Sequence, residues 1–457
     1  MRITRSRRLS AVLAAAGLAL ASFGASATAA AKSPVAPDGL TTKLATAFRS
    51  DVSDIKVTYD YWPSQERVDG HATLRLTMRP GQHRALFHFN PLRDVDPDAE
   101  RKLLTHVTID GEALDPLSDD DVRRIRPLPT AETAFEVERD LAPAVEHTLE
   151  VSWSTSYAPH PRYPGWFYAT FDDTEGPHDE IEADFPTVSS PEELARHRIQ
   201  VRVHTDQPYT VIGSGTVTPD APDGQIDGAQ SWLIDTGRAV SSSTVFFAAV
   251  PQAQVRTTRF ATRGVDVTIV SDRSTKVTQR AERIATDTIG RLVDDLGPFP
   301  VADLDVLLTG WGSGMEYYGA TRTGVGSLEH ELGHMYFGTT TVNRTWRDTW
   351  FDEAAVVWWL RRDRLPPLPE GYTSNLARGR SPVAPGFDLR AYGAGARVLE
   401  EVARALGGNE EMVDFLADLH HRREFHPFTT DDLIDDIVRS QDTITRHQLE
   451  QWLYTPK

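Results

Sequence analysis

Two hydrophobic periods divide this chain. From about residue 53 to 250, apolar residues recur at every second position. Ala72, Leu74, Leu76 and Met78 alternate with His71, Thr73, Arg75, Thr77 and Arg79, and the triplets Leu149, Val151, Trp153 and Ile199, Val201, Val203 repeat the pattern. A period of two puts one row of side chains on each face of a pleated strand, so these runs predict half-buried β-strands. Pro80-Gly81 and Asp110-Gly111 punctuate them as turns. After Pro251 the spacing changes. A short strand (Val265, Val267, Ile269) precedes a helix carrying Ile284, Ile289, Leu292, Val293 and Leu296, which Gly297-Pro298 ends. Asp303 to Leu308 reads as a strand, and helices follow: one from near Ser327, one over the apolar stretch Trp350 to Leu360, and one from Ala394 to Leu406 closed by Gly407-Gly408. Another has Met412, Phe415, Leu416 and Leu419 on a single face, and a last one is capped by Thr429 or Thr430 before Asp431-Asp432. These patterns predict an α+β multidomain chain. An antiparallel β-sandwich or saddle domain spans 53–253, and a mainly helical domain spans 254–457.

The N-terminus changes the picture. Residues 1–29 read as a secretory signal peptide: Arg2, Arg5, Arg7 and Arg8 form the basic start, Ala11 to Ala21 the apolar stretch, and Ala25-Ser26-Ala27 or Ala27-Thr28-Ala29 the cleavage site. Ser6-Arg7-Arg8 leaves both the general and the twin-arginine export routes open. Residues 30–52, rich in Ala, Pro, Ser and Thr, are expected to be an exposed leader, and the mature protein to be secreted. The chain has no cysteine, which excludes disulfides and thiolate metal ligands. Its net charge of -18 becomes more negative still once the four signal arginines are removed. So acidic a surface argues against nucleic acid and anionic membrane as partners. No stretch of the mature chain is apolar for the ~18 residues that a membrane span needs.

The candidate chemistry lies in His330-Glu331-Leu332-Gly333-His334, followed nineteen residues later by Glu353. Residues four apart on a helix lie roughly 40° apart and about 6 Å along the axis, so His330 and His334 can share one cation. With 15 histidines in 457 residues, such a string arises by chance in on the order of a few per cent of chains, so it needs support. Glu353 supplies it, because an acid within the apolar run Trp350 to Leu360 requires a partner. Three such ligands leave a fourth tetrahedral position open, as catalytic zinc requires, and Glu331 stands at the rim as a base. The bland alternative is two core histidines and a glutamate on a solvated face. Tyr392, just ahead of a helix, is the candidate oxyanion donor, although a tyrosine taken alone is more often a packing residue. Gly312-Ser313-Gly314-Met315-Glu316 reads as a glycine-rich loop that would admit a substrate backbone, or as a surface loop with a solvated acid.

With these pieces assembled, the chain resembles the aminopeptidase N (membrane alanyl aminopeptidase) family of zinc metallopeptidases, of the gluzincin type. The family's H-E-x-x-H, eighteen intervening residues and Glu match His330 to His334 and Glu353, and its G-x-M-E-N reads Ser313-Gly314-Met315-Glu316-Tyr317 here. Phe337-Gly338, Trp346 and Trp350-Phe351-Asp352-Glu353 stand where the family has F-G, W and W-L-N-E. Leu296-Gly297-Pro298-Phe299-Pro300 has its counterpart too, and Tyr392 falls on the tyrosine of Y-x-K-G.

The resemblance implies a thermolysin-like catalytic domain with one Zn2+ per chain held by His330, His334 and Glu353. It makes Glu331 the general base and Tyr392 the oxyanion donor. Glu316 would bind the free α-ammonium of a peptide substrate, with Gly314 and Met315 lining the edge against which the substrate backbone lies. The implied activity is a secreted aminopeptidase acting on peptides with a free N-terminus. Tyr317, Ser313 and Ala394 replace the family's Asn, first Gly and Lys, and the segment from Glu316 to His330 is short. The chain resembles a short, bacterial-style secreted member without the C-terminal helical domain, so an open cleft is expected. A further family acid from the β domain helps bind the amine, with Glu175, Glu180 and Glu182 as candidates. A zinc endopeptidase or other amide hydrolase, and a non-catalytic extracellular binding protein that keeps the fold, are the alternatives.

Overall fold

In the computed structural model the described residues are 50–90, 104–114, 122–124, 134–137, 139–156, 163–170, 183–187, 192–221, 225–226, 228–310, 314–378 and 389–455. The signal peptide, the leader up to residue 49, Gly312, Ser313, Glu175, Glu180 and Glu182 lie outside them.

The period-two runs form the strands of a nine-stranded sheet. Its order is Thr216–Pro219, Ala229–Ser241, Leu194–Val203, Ser50–Trp62, Arg67–Met78, Glu146–Ser156, Leu104–Ile109 and Glu112–Ala113, with Gln225–Ile226 paired to Ala229–Ser241. Ile55, Leu74 and Leu149 stand in register across three neighbours, so their apolar faces coincide. The first strand begins at Ser50, inside the segment read as leader, because Ser50 and Val52 extend the buried alternation. Ladders here are antiparallel except one: Ser50–Trp62 runs parallel to Leu194–Val203. A four-stranded sheet (Ala183–Thr187, Leu86–Asn90, Ala134–Val137, Val122–Arg124) and a three-stranded one (Tyr209–Gly213, Phe246–Pro251, Phe167–Thr170) complete the β-rich part. Its core is aromatic: Tyr59 meets Trp153 edge-on at 5.8 Å and Phe167 at 5.4 Å. Gly70 makes room for this, since a Cβ there would lie 2.0 Å from the Trp153 indole.

Past the turn Gln252–Gln254 comes a five-stranded mixed sheet, ordered Arg256–Thr262, Val265–Ser271, Asp303–Leu308, Ala320–Thr323, Gly314–Tyr317. The parallel pairing of its second and third strands needs a long crossover, and helix α1 (Thr275–Leu296) provides it. α1 buries Ala281, Ala285, Ile289, Leu292 and Leu296 and ends at Gly297, whose φ of 95° is open to glycine. Among the described residues six α-helices follow: α2 (Leu328–Gly333), α3 (Trp350–Arg361), α4 (Ala396–Leu406), α5 (Asn409–Arg423), α6 (Thr430–Ser440) and α7 (Arg446–Tyr454). Thr429 is the cap of α6, in a reciprocal capping box with Asp432. A second box, Thr445 with Gln448, starts α7, a helix that the apolar pattern alone did not predict.

The β-rich and helix-rich halves share an apolar cluster, in which Tyr163, Trp166, Ile212 and Phe246 meet Val270, Leu307, Tyr317 and Ala320. Among the described residues, no helix is long and apolar enough to cross a membrane.

Candidate metal centre and active site

α2 is a short helix, and its surroundings hold it. Leu328 and Leu332 anchor it in the core, while His330 and Glu331 donate their backbone N–H groups to Ser327 O at 2.8 and 3.1 Å. Gly333 lets α3 approach, because a Cβ there would come within 2.9 Å of Val356 Cγ1. That contact lies one residue before His334, at the end of α2, and one helical turn beyond Glu353 on α3, so it brings both candidate ligands to one place. After Gly333 the backbone continues in tight turns, and the carbonyls of His334 and Met335 bond residues further along the chain. Thr339 and Thr340 are those residues: the Thr339 hydroxyl donates to His334 O at 3.0 Å and the Thr340 hydroxyl to Met335 O at 2.7 Å.

His330 Nε2 and His334 Nε2 lie 3.0 Å apart, and Glu353 Oε2 is 3.1 Å from the first and 3.5 Å from the second. His334 Nδ1 donates to Phe337 O at 3.0 Å, which fixes the tautomer and leaves the Nε2 lone pair facing the other two donors. Bonds of roughly 2.1 Å to a tetrahedral zinc would separate ligand atoms by about 3.4 Å, close to these distances. Acids crowd the same space. Donor atoms of Glu316, Glu331 and His334 also lie within 4.8 Å of one another. Glu316 and Glu353 have the histidines as their only ion-pair partners among the described residues. Burial would lower the His334 pKa, but Glu316, Glu353 and Glu331 raise it well above the usual imidazole value. Burial likewise works to raise the Glu353 pKa, yet the two histidines hold it below the usual carboxylate range. A donor set so rich in carboxylates, with lone pairs convergent, fits a divalent cation.

The other expected residues stand around this centre. Glu331 is buried, with its carboxyl lying across Gly314: a Cβ on Gly314 would sit 2.4 Å from Glu331 Oε1. Gly314–Tyr317 was expected as part of a loop; it is an edge strand, paired with Ala320–Thr323 on one side. Glu316 points from it towards the centre, its Oε1 3.9 Å from His334 Nδ1, and Met315 on the opposite face packs against the apolar cluster between the halves. Tyr392 sits on a π-turn, Ala391–Gly395, that leads into α4. Its hydroxyl donates to Glu353 Oε1 at 2.9 Å, and burial and Glu353 push its pKa upward, so it stays a donor. Ala394 is partly buried on the same turn and packs against the helical core.

No family model and no curated protein matches the sequence. Solved structures do match. An M1 zinc metallopeptidase from Deinococcus radiodurans superposes with a TM-score of 0.63 at 18% identity, over 89% of this chain and 96% of that one. A mutant of that peptidase bound to a Tyr-Ser-Ala substrate gives 0.65 at 18%, over 89% and 95%. Yeast LTA4 hydrolase in complex with Bestatin gives 0.64 at 15%, over 89% and 68%. The chain has the fold of the M1 zinc metallopeptidases.

Within that M1 fold several residues at the centre were not singled out from sequence. Asp352, beside Glu353, accepts from Glu353 N at 2.7 Å and from Asn343 Nδ2 at 3.0 Å, and burial with the Glu353 charge raises its pKa well above the usual range. An acid next to another acid in an apolar helix was the available signal. Thr339 and Thr340 lie six and seven residues past the helix end at Gly333, where their hydroxyls bond the carbonyls of His334 and Met335. Gly395 touches α3, and no pattern in the sequence marked it.

Proposed function

We propose that this chain is a secreted zinc aminopeptidase with a thermolysin-like catalytic domain over residues 254–457 and a β domain over 53–253. The observation that carries this reading is the convergence of two Nε2 atoms and the Glu353 carboxylate, with Glu331, Glu316 and Tyr392 around them. His330, His334 and Glu353 would hold zinc, which when bound acidifies a water to a pKa of roughly 7 and polarises a carbonyl. Glu331, buried against Gly314, takes the proton of the attacking water and later delivers it to the leaving amine. The Tyr392 hydroxyl, turned from Glu353 Oε1, is the donor to the developing oxyanion. Glu316 pairs with the α-ammonium of the substrate, whose backbone lies along the open edge of Gly314–Tyr317, so that one residue at a time is removed from the N-terminus. The Deinococcus peptidase of the same fold, bound to a Tyr-Ser-Ala substrate, supports peptides as the substrate class. Export rests on the signal-like residues 1–29.

Hydrolysis of a chromogenic aminoacyl amide tests the reading. Activity is expected to vanish with a chelator, return with zinc, and be absent on the N-acetylated amide. Glu331→Gln is expected to lower kcat by roughly 10²–10⁴-fold while zinc content stays at one per chain. Full activity after chelation, or equal cleavage of free and acetylated substrates, would overturn it.

A further inference from the structure

The strand that carries Glu316 is weakly supported by its own half. Gly314–Tyr317 is four residues long, lies at a sheet edge and has one ladder partner, reinforced by the Thr321 hydroxyl donating to Met315 O at 2.8 Å. Its side chains alternate. Gly314 and Glu316 face Glu331 and His334, while Met315 and Tyr317 face the β-rich half. Tyr317 is fully buried there, its ring stacked on that of Phe246 with centroids 4.6 Å apart and planes 11° from parallel. At the next residue, Tyr318 N donates to Thr244 O at 2.8 Å. Phe246 is itself fixed, because its N–H is bonded to Ser214 Oγ at 3.0 Å and its carbonyl accepts from Ser214 N at 2.8 Å. The last residue of the Glu316 strand and the residue after it are therefore gripped by residues 244–246 of the other half.

From this we infer that Phe246 and Tyr317 are positioning residues for Glu316, so that recognition of the substrate α-ammonium depends on the junction between the halves. The inference rests on the aminopeptidase reading. The edge beside Gly314–Tyr317 has to stay open for substrate, so the stiffness of this strand comes from the face beneath it. A ring stack held there sets the Cα of Tyr317, and through one peptide unit that of Glu316. In this chain a tyrosine stands at 317 where the resembling family has Asn, and the stack is what that tyrosine makes.

Tyr317→Leu keeps the apolar burial and removes the flat ring. With the free aminoacyl p-nitroanilide, KM is expected to rise about threefold to tenfold, from the typical worth of one aromatic pair, with kcat changed less than about twofold. Preference for the free over the N-acetylated substrate should fall by the same factor, with zinc content unchanged. Tyr317→Phe, which keeps the ring, restores the wild-type KM. Phe246→Leu repeats the loss from the other side, and the double variant is no worse than either single one. Should Tyr317→Leu not fold, Phe246→Leu carries the same measurement. An unchanged KM and preference in a folded, zinc-loaded Leu variant overturns the inference and leaves the aminopeptidase reading standing. Wild-type protein that cleaves free and acetylated substrates alike removes the reading, and this inference with it.

Discussion

Glu331 and Gly314 form the tightest fit of any pair at the centre. The carboxyl of Glu331 fills the space where a side chain at 314 would begin, so the glycine serves that carboxyl as well as the backbone geometry of the strand. Gly314→Ala puts a Cβ 2.4 Å from Glu331 Oε1, a distance that atoms do not tolerate, and the carboxyl has to swing away. His330, His334 and Glu353 are untouched by that change. The expected outcome is a kcat about 10²-fold lower with zinc still bound, measured as single-substrate kinetics beside metal analysis. Loss of zinc in the same variant would place Glu331 among the ligands instead. A glycine that the sequence offers as room for a substrate backbone is thus tied to one carboxylate in the structure.

At the scale of elements, the π-turn Ala391–Gly395 decides where Tyr392 stands. A π-turn widens the helix by one residue per turn, and here it delivers the phenol to Glu353 on α3. Gly395 is the contact that allows it: a Cβ there would lie 2.9 Å from Ala354 Cβ and 3.3 Å from Trp350 Cε3. Gly395→Ala should push the turn off α3, destabilise the protein by about 1–3 kcal/mol and lower kcat with it. Adding Ala354→Gly reopens the space, so both thermal midpoint and kcat should recover in the double variant. What the sequence made legible follows from the same geometry. Ligand candidates at helical spacing were readable because four residues on a helix fix a direction in space, and alternating strands were readable because burial imposes the period. The π-turn, the edge strand Gly314–Tyr317 and α7 were not. The first depends on a packing contact between remote residues, the second is four residues long, and α7 buries only Leu449 and Leu453. The parallel pairing of Ser50–Trp62 with Leu194–Val203 was hidden for another reason: alternation is the same read in either direction.

Across the whole molecule, polar ties as well as rings join the two halves, and one of them titrates. Asp305, on the central strand Asp303–Leu308, accepts from Gly213 N of the three-stranded sheet at 3.0 Å. Burial pushes its pKa up to about 7, with Asp303 adding to the rise and Gly213 N–H, Arg259 and Thr268 opposing it. In the unfolded chain the same group titrates near ~3.9. Between roughly pH 4 and 7 the folded protein therefore holds a proton that the unfolded chain releases, and stability falls as pH rises through this window. Asp305→Asn keeps an oxygen acceptor for Gly213 N and has no proton to lose. Its stability should equal that of the wild type below about pH 4 and exceed it near pH 8, by up to a few kcal/mol. Denaturant unfolding of both chains at the two pH values, each without metal so that the zinc centre contributes equally, measures the difference. Parallel curves would mean that Asp305 is ionised throughout and that water reaches it. A diverging pair would place a neutral acid at the junction that also carries Tyr317 and Phe246, and would make the upper pH limit of the protein a property of how its halves meet.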